Sequence, residues 1–327
     1  MGLGVSVGGK QVPNALKRFA TSLATSPEEA YVPLRKTPEL FSSLLRDEWL
    51  APTLMEVVAA AREGKMHPGL KKEAEGIYSF ELFTPKFCRA LLDEVDNYFE
   101  TGLPVRRPNS MNNYGLIVNE IGMKPTITEL QQSVLLPIAK LLWPKIGAAF
   151  HSHHSFMVQY RSTEDAGLDL HTDDSDVTFN VCLGEEFTGA GLTFCGYMGA
   201  HDHRHFSYAY QHEKGRAVVH LGSRRHGADD IQTGTRRNLI IWNHNMQHRQ
   251  SREYAMRMYD YQQESGPPDK RCLSFTHDRD YPLYKDYPPG TEDNSKRAWC
   301  PPPAACYDTM SDDIRNSRTR GPVKKKT

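Results

Sequence analysis

The sequence predicts an α+β protein, because helical periodicity prevails up to about residue 143 and gives way, from about 152, to short β-branched and aromatic segments set between turn signals. Several strands at that spacing imply a sandwich or barrel, here a jelly roll. After about residue 251 periodicity fades, and Pro267-Pro268, Pro288-Pro289-Gly290 and Pro301-Pro302-Pro303 precede a closing Lys324-Lys325-Lys326. The expected layout is a leader and helical region over 1–75, a central domain over 76–250 with its jelly-roll core at 150–245, and a Pro-rich irregular tail over 251–327.

In chain order, Thr37-Pro38-Glu39 and Ala51-Pro52 read as helix starts, and Gly64 can end the second helix. Residues 77–82 alternate as a strand does. Thr84-Pro85 then caps a helix whose stripe of Phe87, Leu91, Val95, Tyr98 and Phe99 reads as core packing up to about Gly102. A second helix is expected over 128–143, apolar through Leu130, Val134, Leu135, Ile138, Leu141 and Leu142 and kinked by Pro137. Strands are expected at 155–161, 176–183, 192–195, 205–211, 217–221 and 237–242.

At 327 residues and 39% hydrophobic content, the chain can bury one substantial core. Lys plus Arg and Asp plus Glu stand at 40 each, so no single-sign field draws it to nucleic acid or an acidic membrane. Cys88, Cys182, Cys195, Cys272, Cys300 and Cys306 are scattered without a CxxC pair or a glycosylation sequon, which fits a reducing compartment. No apolar run approaches the roughly 18 residues of a membrane span, and the N-terminus lacks a signal-peptide core. The expectation is an intracellular, cytoplasmic protein without a membrane span. Met1-Gly2-Leu3-Gly4-Val5-Ser6 fits an N-myristoylation pattern at Gly2, with a flexible leader as the plain alternative.

The chemistry concentrates further on. Iron(II) that keeps open positions for oxygen and a co-substrate calls for two imidazoles and one carboxylate on one face of the metal. In Leu170-His171-Thr172-Asp173, strand period puts His171 and Asp173 on one side, so both can reach one ion from inside a barrel. A chain with 14 histidines yields about one HxD by accident, so the pair alone decides little. The order downstream gives it weight: a buried-looking strand at 177–182, a glycine-bearing turn at 187–192, Lys214-Gly215, His226-Gly227 as the source of the third ligand, and Arg236 ten residues beyond. His220 is the alternate ligand.

Arg236 has its own logic. A dicarboxylate that chelates iron through its 2-oxo acid end leaves a second carboxylate deeper in the pocket, which a planar guanidinium meets bidentately. Arg237 is the fallback, since strand register decides which of the two points inward. Other histidines, His151, His153 and His154, then His201, His203 and His205, then His244 and His248, read as edge or loop residues. Gly4-Val5-Ser6-Val7-Gly8 matches a nucleophile elbow without the strand such an elbow needs.

Three segments carry a family resemblance: Arg107-Pro-Asn-Ser-Met-Asn-Asn-Tyr-Gly115, the run from His171-Thr-Asp173 through Cys182-Leu-Gly184, and the run from His226-Gly-Ala through Gly234-Thr-Arg236. From about Tyr78 to Trp242 the chain resembles the prolyl and lysyl hydroxylase branch of the iron(II) and 2-oxoglutarate-dependent oxygenases, most nearly the family of 2-oxoglutarate and iron-dependent oxygenase domain-containing protein 2. The resemblance implies a double-stranded β-helix, iron held by His171, Asp173 and His226, and 2-oxoglutarate anchored by Arg236. Tyr160 falls where related hydroxylases place an active-site tyrosine. Cys182 stands where some carry a second tyrosine against the co-substrate, a departure from the pattern. The first 75 residues and the last 75 lie outside the resemblance.

What it implies functionally is a dioxygenase that uses O2 and 2-oxoglutarate, releases succinate and CO2, and hydroxylates a C–H bond on a Pro or Lys side chain of a protein or peptide, with an L-ascorbate requirement. Thr178, Asn180 and Cys182 share a strand face that either lines the cavity or packs across strands. The alternatives are the same chemistry on a small molecule or nucleobase, and a jelly-roll binding module that has lost catalysis. No ligand or anchor is missing, which counts against the last.

Overall fold

The computed structural model describes residues 26–184, 186–197 and 207–255. The Gly2 motif, the elbow-like run at 4–8, His201, His203 and His205, the cysteines Cys272, Cys300 and Cys306, and the tail beyond 255 all lie outside them.

The N-terminal part begins with α1 (Pro27–Tyr31), where Ser26 accepts a hydrogen bond from the Glu29 amide and caps the helix. Three single 3-10 turns follow, at Val32–Leu34, Pro38–Phe41 and Asp47–Trp49. The predicted helix at Thr37-Pro38 is thus one turn only. The next, α2 (Leu54–Arg62), starts after Pro52 and stops at Gly64, whose φ of 74° suits glycine. Strands β1 (Lys71–Ala74), which sequence periodicity did not flag, and β2 (Ile77–Glu81) form a hairpin.

Helix α3 (Pro85–Glu100) has Thr84 as its cap, with the Phe87 amide donating to the threonine oxygen. Its buried stripe is Phe87, Leu91, Val95 and Tyr98. Phe99, expected on that stripe, is 39% exposed because successive four-residue steps from Phe87 overshoot the 3.6-residue turn and carry it to the edge of the buried face. After β3 (Gly115–Leu116) and a 3-10 turn at Val118–Ile121, the second predicted helix starts earlier than 128. It runs as α4 (Lys124–Leu130), a π turn at Gln131–Leu135, and α5 (Leu136–Leu142). Pro137 has no N–H and would crowd the carbonyl four residues back, and the wider π turn accommodates that.

The remaining strands are β4 (Ser152–Tyr160), β5 (Leu168–His171), β6 (Val177–Gly184), β7 (Phe187–Gly189), β8 (Leu192–Tyr197), β9 (Tyr208–Tyr210), β10 (Arg216–Leu221), β11 (Arg224–Ala228), β12 (Ile231–Gly234) and β13 (Arg236–His244), followed by the short α6 (Met246–Arg249). They build a seven-stranded sheet ordered β1-β2-β10-β6-β13-β4-β3, a four-stranded sheet ordered β5-β11-β8-β9, and the pair β12-β7. The chain passes repeatedly from one sheet to the other, as a double-stranded β-helix requires.

Alternation along the strands separates two layers of core. From β6 and β13, Val177, Phe179, Val181, Leu183, Leu239 and Ile241 pack against the helices, including Tyr31, Val58 and Leu91 of the N-terminal half. On the opposite face, Phe156, Val158, Val218, Ile240 and Trp242 of the large sheet meet Ala190, Leu192, Phe194 and Ala228. Helices therefore close one side of the large sheet and the small sheet closes the other. A cavity opens between the two sheets.

Candidate functional site

His171 and His226 are direct cross-strand partners, on β5 and β11, with ring centroids 4.5 Å apart. Asp173 joins them from beyond the end of β5, which stops at His171. The shared strand face expected for His171 and Asp173 is therefore not how they meet. Asp173 lies in a turn fixed by its own amide, which donates to the Gly222 carbonyl at 2.9 Å. One ligand atom from each of the three side chains lies within 4.8 Å of the others, the only such cluster among the described residues.

The electrostatics of this cluster suit a cation. Asp173 oxygens lie 3.5 Å from His171 Nε2 and 3.7 Å from His226 Nε2. Thr178 donates to Asp173 Oδ2 at 2.6 Å and steadies the carboxylate. Burial opposes the Asp173 charge, but the His226 and His171 imidazoles beside it hold the carboxyl well below the usual carboxylate range. His226 Nδ1 lies 2.9 Å from the Arg224 carbonyl, which can only accept, so Nδ1 carries the hydrogen and Nε2 turns a lone pair toward Asp173. Burial, partly offset by Asp173, pushes His226 down to about 3, so near neutral pH no proton bridges that lone pair and the carboxylate. A divalent cation between them fits the donor set.

At the other end of the cavity Arg236 faces Tyr160 across the β13–β4 ladder, its guanidinium carbon 4.4 Å from the ring centroid. Arg236 is 1% exposed and donates from Nη1 to the Ala190 carbonyl, while its Nε has no partner and no described carboxylate pairs with it. Burial lowers its pKa below the ordinary arginine value. Tyr160 and Asp229 offset that burial only in part, and a buried guanidinium so compensated suits an anion. Arg237, one residue on, faces the opposite way: Nε donates to Gln159 at 2.9 Å and Nη1 to Asp96 on α3 at 2.7 Å.

His171, Asp173, His226, Tyr160 and Arg236 all line one cavity between the sheets, with Thr178 and Asn180 on its floor. Cys182, on the same face of β6, is buried but does not line it. His220 is not part of the cluster. Its ring packs on His226 at 4.4 Å, and its Nδ1 lies 2.9 Å from the Leu221 carbonyl. His153 meets Thr128 and Ser155, His154 meets the Pro108 carbonyl, and His244 meets Ser152 and the Asp174 carbonyl. His151 accepts from the Met246 amide.

Sequence reasoning missed part of the lining. Asn109, Met111 and Asn112 come from a segment without periodicity, although its residues were among those that carried the family resemblance. Phe156, Ile240 and Trp242 were read as strand residues only, yet they form an apolar wall in which Trp242 Nε1 is buried and unpartnered.

Residues 28–148 match the family model for the OGFOD2-like domain. The chain is 35% identical over 234 residues to 2-oxoglutarate and iron-dependent oxygenase domain-containing protein 2 of Danio rerio, covering 69% of this chain and 67% of that protein. It is 36% identical over 226 residues to the Mus musculus protein of that name, covering 65% and 63%. The chain belongs to this family. It spans between 54% and 67% of the length of these and the plant relatives it matches. The family match begins at residue 28, so the N-terminal helices, outside the resemblance on motifs alone, fall within it.

A more distant likeness, 24% identical over 61% of this chain and 27% of the other, is to Procollagen-lysine,2-oxoglutarate 5-dioxygenase 1 of Mus musculus. Among solved structures, a Pseudomonas putida prolyl-4-hydroxylase aligns at 16% identity with a TM-score of 0.39, covering 62% of this chain and 99% of that one. No helix among the described residues is long and apolar enough to cross a membrane.

Proposed function

We propose that the chain is an iron(II) and 2-oxoglutarate-dependent dioxygenase that hydroxylates a C–H bond on a Pro or Lys side chain of a protein or peptide. The observation that carries this reading is one cavity holding both a His-Asp-His cluster and a buried guanidinium that forms no salt bridge with a carboxylate among the described residues. The family's name and the likeness to a procollagen-lysine dioxygenase support it.

In this reading His171, Asp173 and His226 would hold the metal, and a set of three protein ligands would leave it open to 2-oxoglutarate and O2. Thr178 keeps Asp173 turned inward, and the Arg224 carbonyl fixes the His226 tautomer. Arg236 pairs with the distal carboxylate of 2-oxoglutarate, with Tyr160 stacked against it. The wall of Phe156, Ile240 and Trp242 excludes water where the substrate carbon approaches. The chemistry that iron(II) supplies when bound is coupled oxidation: one oxygen atom of O2 goes to succinate as CO2 leaves, and the other to the substrate C–H, giving C–OH. L-ascorbate is proposed as the reductant that restores oxidised iron.

The test is succinate release from the protein purified without oxygen and supplied with iron(II), 2-oxoglutarate and air. Turnover is expected in the wild type and is expected to be lost in His171→Ala and Asp173→Ala; equal turnover in all three would end the reading. Mass spectrometry of co-purifying proteins is expected to show a single added oxygen atom on Pro or Lys when the wild type is present, and none with Asp173→Ala.

A further inference from the structure

The segment 107–115 is ordered by its own side chains. Arg107 donates from Nε to the Asn109 carbonyl at 2.8 Å and from Nη2 to the Ser110 carbonyl. At the far end, the Asn113 amide and side chain donate to Asp165 at 2.6 and 2.9 Å. Gly115 has a φ of 127°, and a Cβ there would collide with the Met157 carbonyl, so the segment is pinned against β4 by a residue that must be glycine.

Inside that frame the direction of every hydrogen bond is forced. Asn109 Oδ1 takes the backbone amides of Met111 and Asn112, each at 2.8 Å, so that atom is an oxygen and Asn109 Nδ2 is a donor. Asn109 Nδ2 donates to Asn112 Oδ1 at 3.0 Å, which in turn makes Asn112 Nδ2 a donor. Asn112 Nδ2 donates to the Tyr160 oxygen at 3.0 Å. The Tyr160 hydroxyl already accepts from Asn112, and none of the described residues accepts its proton. That proton is left for the cavity, beside Arg236.

We infer that Asn109 and Asn112 are positioning residues that set the polarity of Tyr160, holding its hydroxyl as a donor so that Arg236 and Tyr160 together form a two-point receptor for the distal carboxylate of a dicarboxylate co-substrate. This rests on the reading of the cavity as a 2-oxoglutarate site. It assigns to residues 107–115, which touch neither the metal cluster nor Arg236 in a hydrogen bond, control over which 2-oxo acid is held. The relay can be reversed without removing an atom of bulk. In Asn109→Asp the second carboxylate oxygen accepts from Asn112, whose amide must turn, so that Tyr160 donates to Asn112 and no longer to the cavity.

The experiment is calorimetric titration of the full chain, loaded with manganese(II) under exclusion of oxygen, with 2-oxoglutarate and separately with 2-oxobutyrate, which keeps the 2-oxo acid end and lacks the distal carboxylate. Asn109→Asp and Tyr160→Phe are each expected to weaken 2-oxoglutarate binding by about tenfold to a hundredfold, and 2-oxobutyrate binding hardly at all. Within the Tyr160→Phe background, Asn109→Asp is expected to add almost nothing, because its effect runs through the lost hydroxyl. Additive losses, equal losses for both ligands, or unchanged binding in Asn109→Asp would overturn the inference. Should Asn109→Asp fail to fold, Asn112→Ala takes its place in the same cycle. A folded wild type that holds manganese yet does not bind 2-oxoglutarate overturns the reading of the cavity itself, an outcome distinct from a wild type that binds it while the variants match it.

Discussion

The two sheets hold the two halves of the site in different ways. The β13–β4 ladder runs through nine consecutive pairs from Arg236↔Tyr160 to His244↔Ser152 without a shift, and Arg236 sits at its end. In the small sheet both ladders of β11 slip next to His226, between His226 and Ala228 on one side and between Arg224 and His226 on the other. A regular ladder fixes a guanidinium at a set depth, while irregularities re-aim short side chains so that ligands from β5, β11 and a turn can converge. The β13–β6 ladder shifts between Arg237 and Asn238, so Arg236 keeps regular pairing on its β4 side only, whereas the proposed metal cluster lies where both ladders of its central strand slip.

If that division holds, the two halves can be lost separately. In the proposed function Arg236 forms a buried charge pair with the co-substrate; Arg236→Met removes one member, and 2-oxoglutarate affinity is expected to fall by about 3–5 kcal/mol. Manganese(II) binding, measured by equilibrium dialysis, is expected to stay near the wild-type value. Without ligand the variant is expected to be no less stable than the wild type, since the replaced guanidinium has a buried Nε without a partner. Loss of metal binding together with co-substrate binding would break the comparison.

Gly222→Ala tests the other half. Its carbonyl holds the Asp173 amide, and a Cβ at this position would collide with the Ser175 carbonyl, so the turn carrying Asp173 must shift. Metal affinity is expected to drop by about tenfold to a hundredfold, as for disturbed outer-shell supports elsewhere. The β13–β4 ladder should persist, read by slow amide exchange at Leu239 and Ile241.

Each sheet also carries a histidine that burial keeps neutral, which sharpens the contrast in pH dependence. His226 is pushed down to about 3, and His153 on β4 to about 4, by burial first and then by Lys124 nearby. An unfolded chain takes up these protons near pH 6.5, so stability is full above about pH 7 and declines below 6.5, continuing until the folded state also protonates, near 4 for His153 and 3 for His226. Between pH 7.5 and 5 each histidine is expected to remove about 2 kcal/mol from the metal-free protein. His153→Gln should recover its share in urea unfolding at pH 5, with or without manganese(II), whereas metal at saturation should act on the share of His226. An acid loss unchanged in His153→Gln would count against this assignment.

The same contrast explains what could be read from the sequence. Strands β4, β6, β10 and β13 were legible because apolar alternation marks both faces of a buried sheet. Strand β11, Arg224-Arg225-His226-Gly227-Ala228, was not, since nothing in that string alternates. It becomes a strand through pairing on both sides and through Arg224, which buries its guanidinium 4.5 Å from the Tyr197 ring centroid and donates to Ser207. Asp173 looked like a strand neighbour of His171 because spacing cannot register where a ladder ends. The Asn109–Asn112 relay left no periodic trace, being made of side-chain bonds within one loop.

Arg236 and Arg237 were interchangeable on sequence, since a slip of one residue exchanges the faces of a strand. The expected difference between them is the smallest effect considered and the most direct check of register. Arg237 is buried, but its partner Asp96 is 44% exposed, so solvent screens that ion pair. In Arg237→Lys the fork to Gln159 and Asp96 is lost while the charge is kept, and stability is expected to fall by about 1 kcal/mol or less in urea unfolding. Co-substrate affinity should not change, because Arg237 faces α3 on the far side of the sheet. A loss of 2-oxoglutarate binding comparable to that of Arg236→Met would mean that β13 presents the other arginine to the cavity, and with it every inward residue from Asn238 to Trp242 would have to exchange faces.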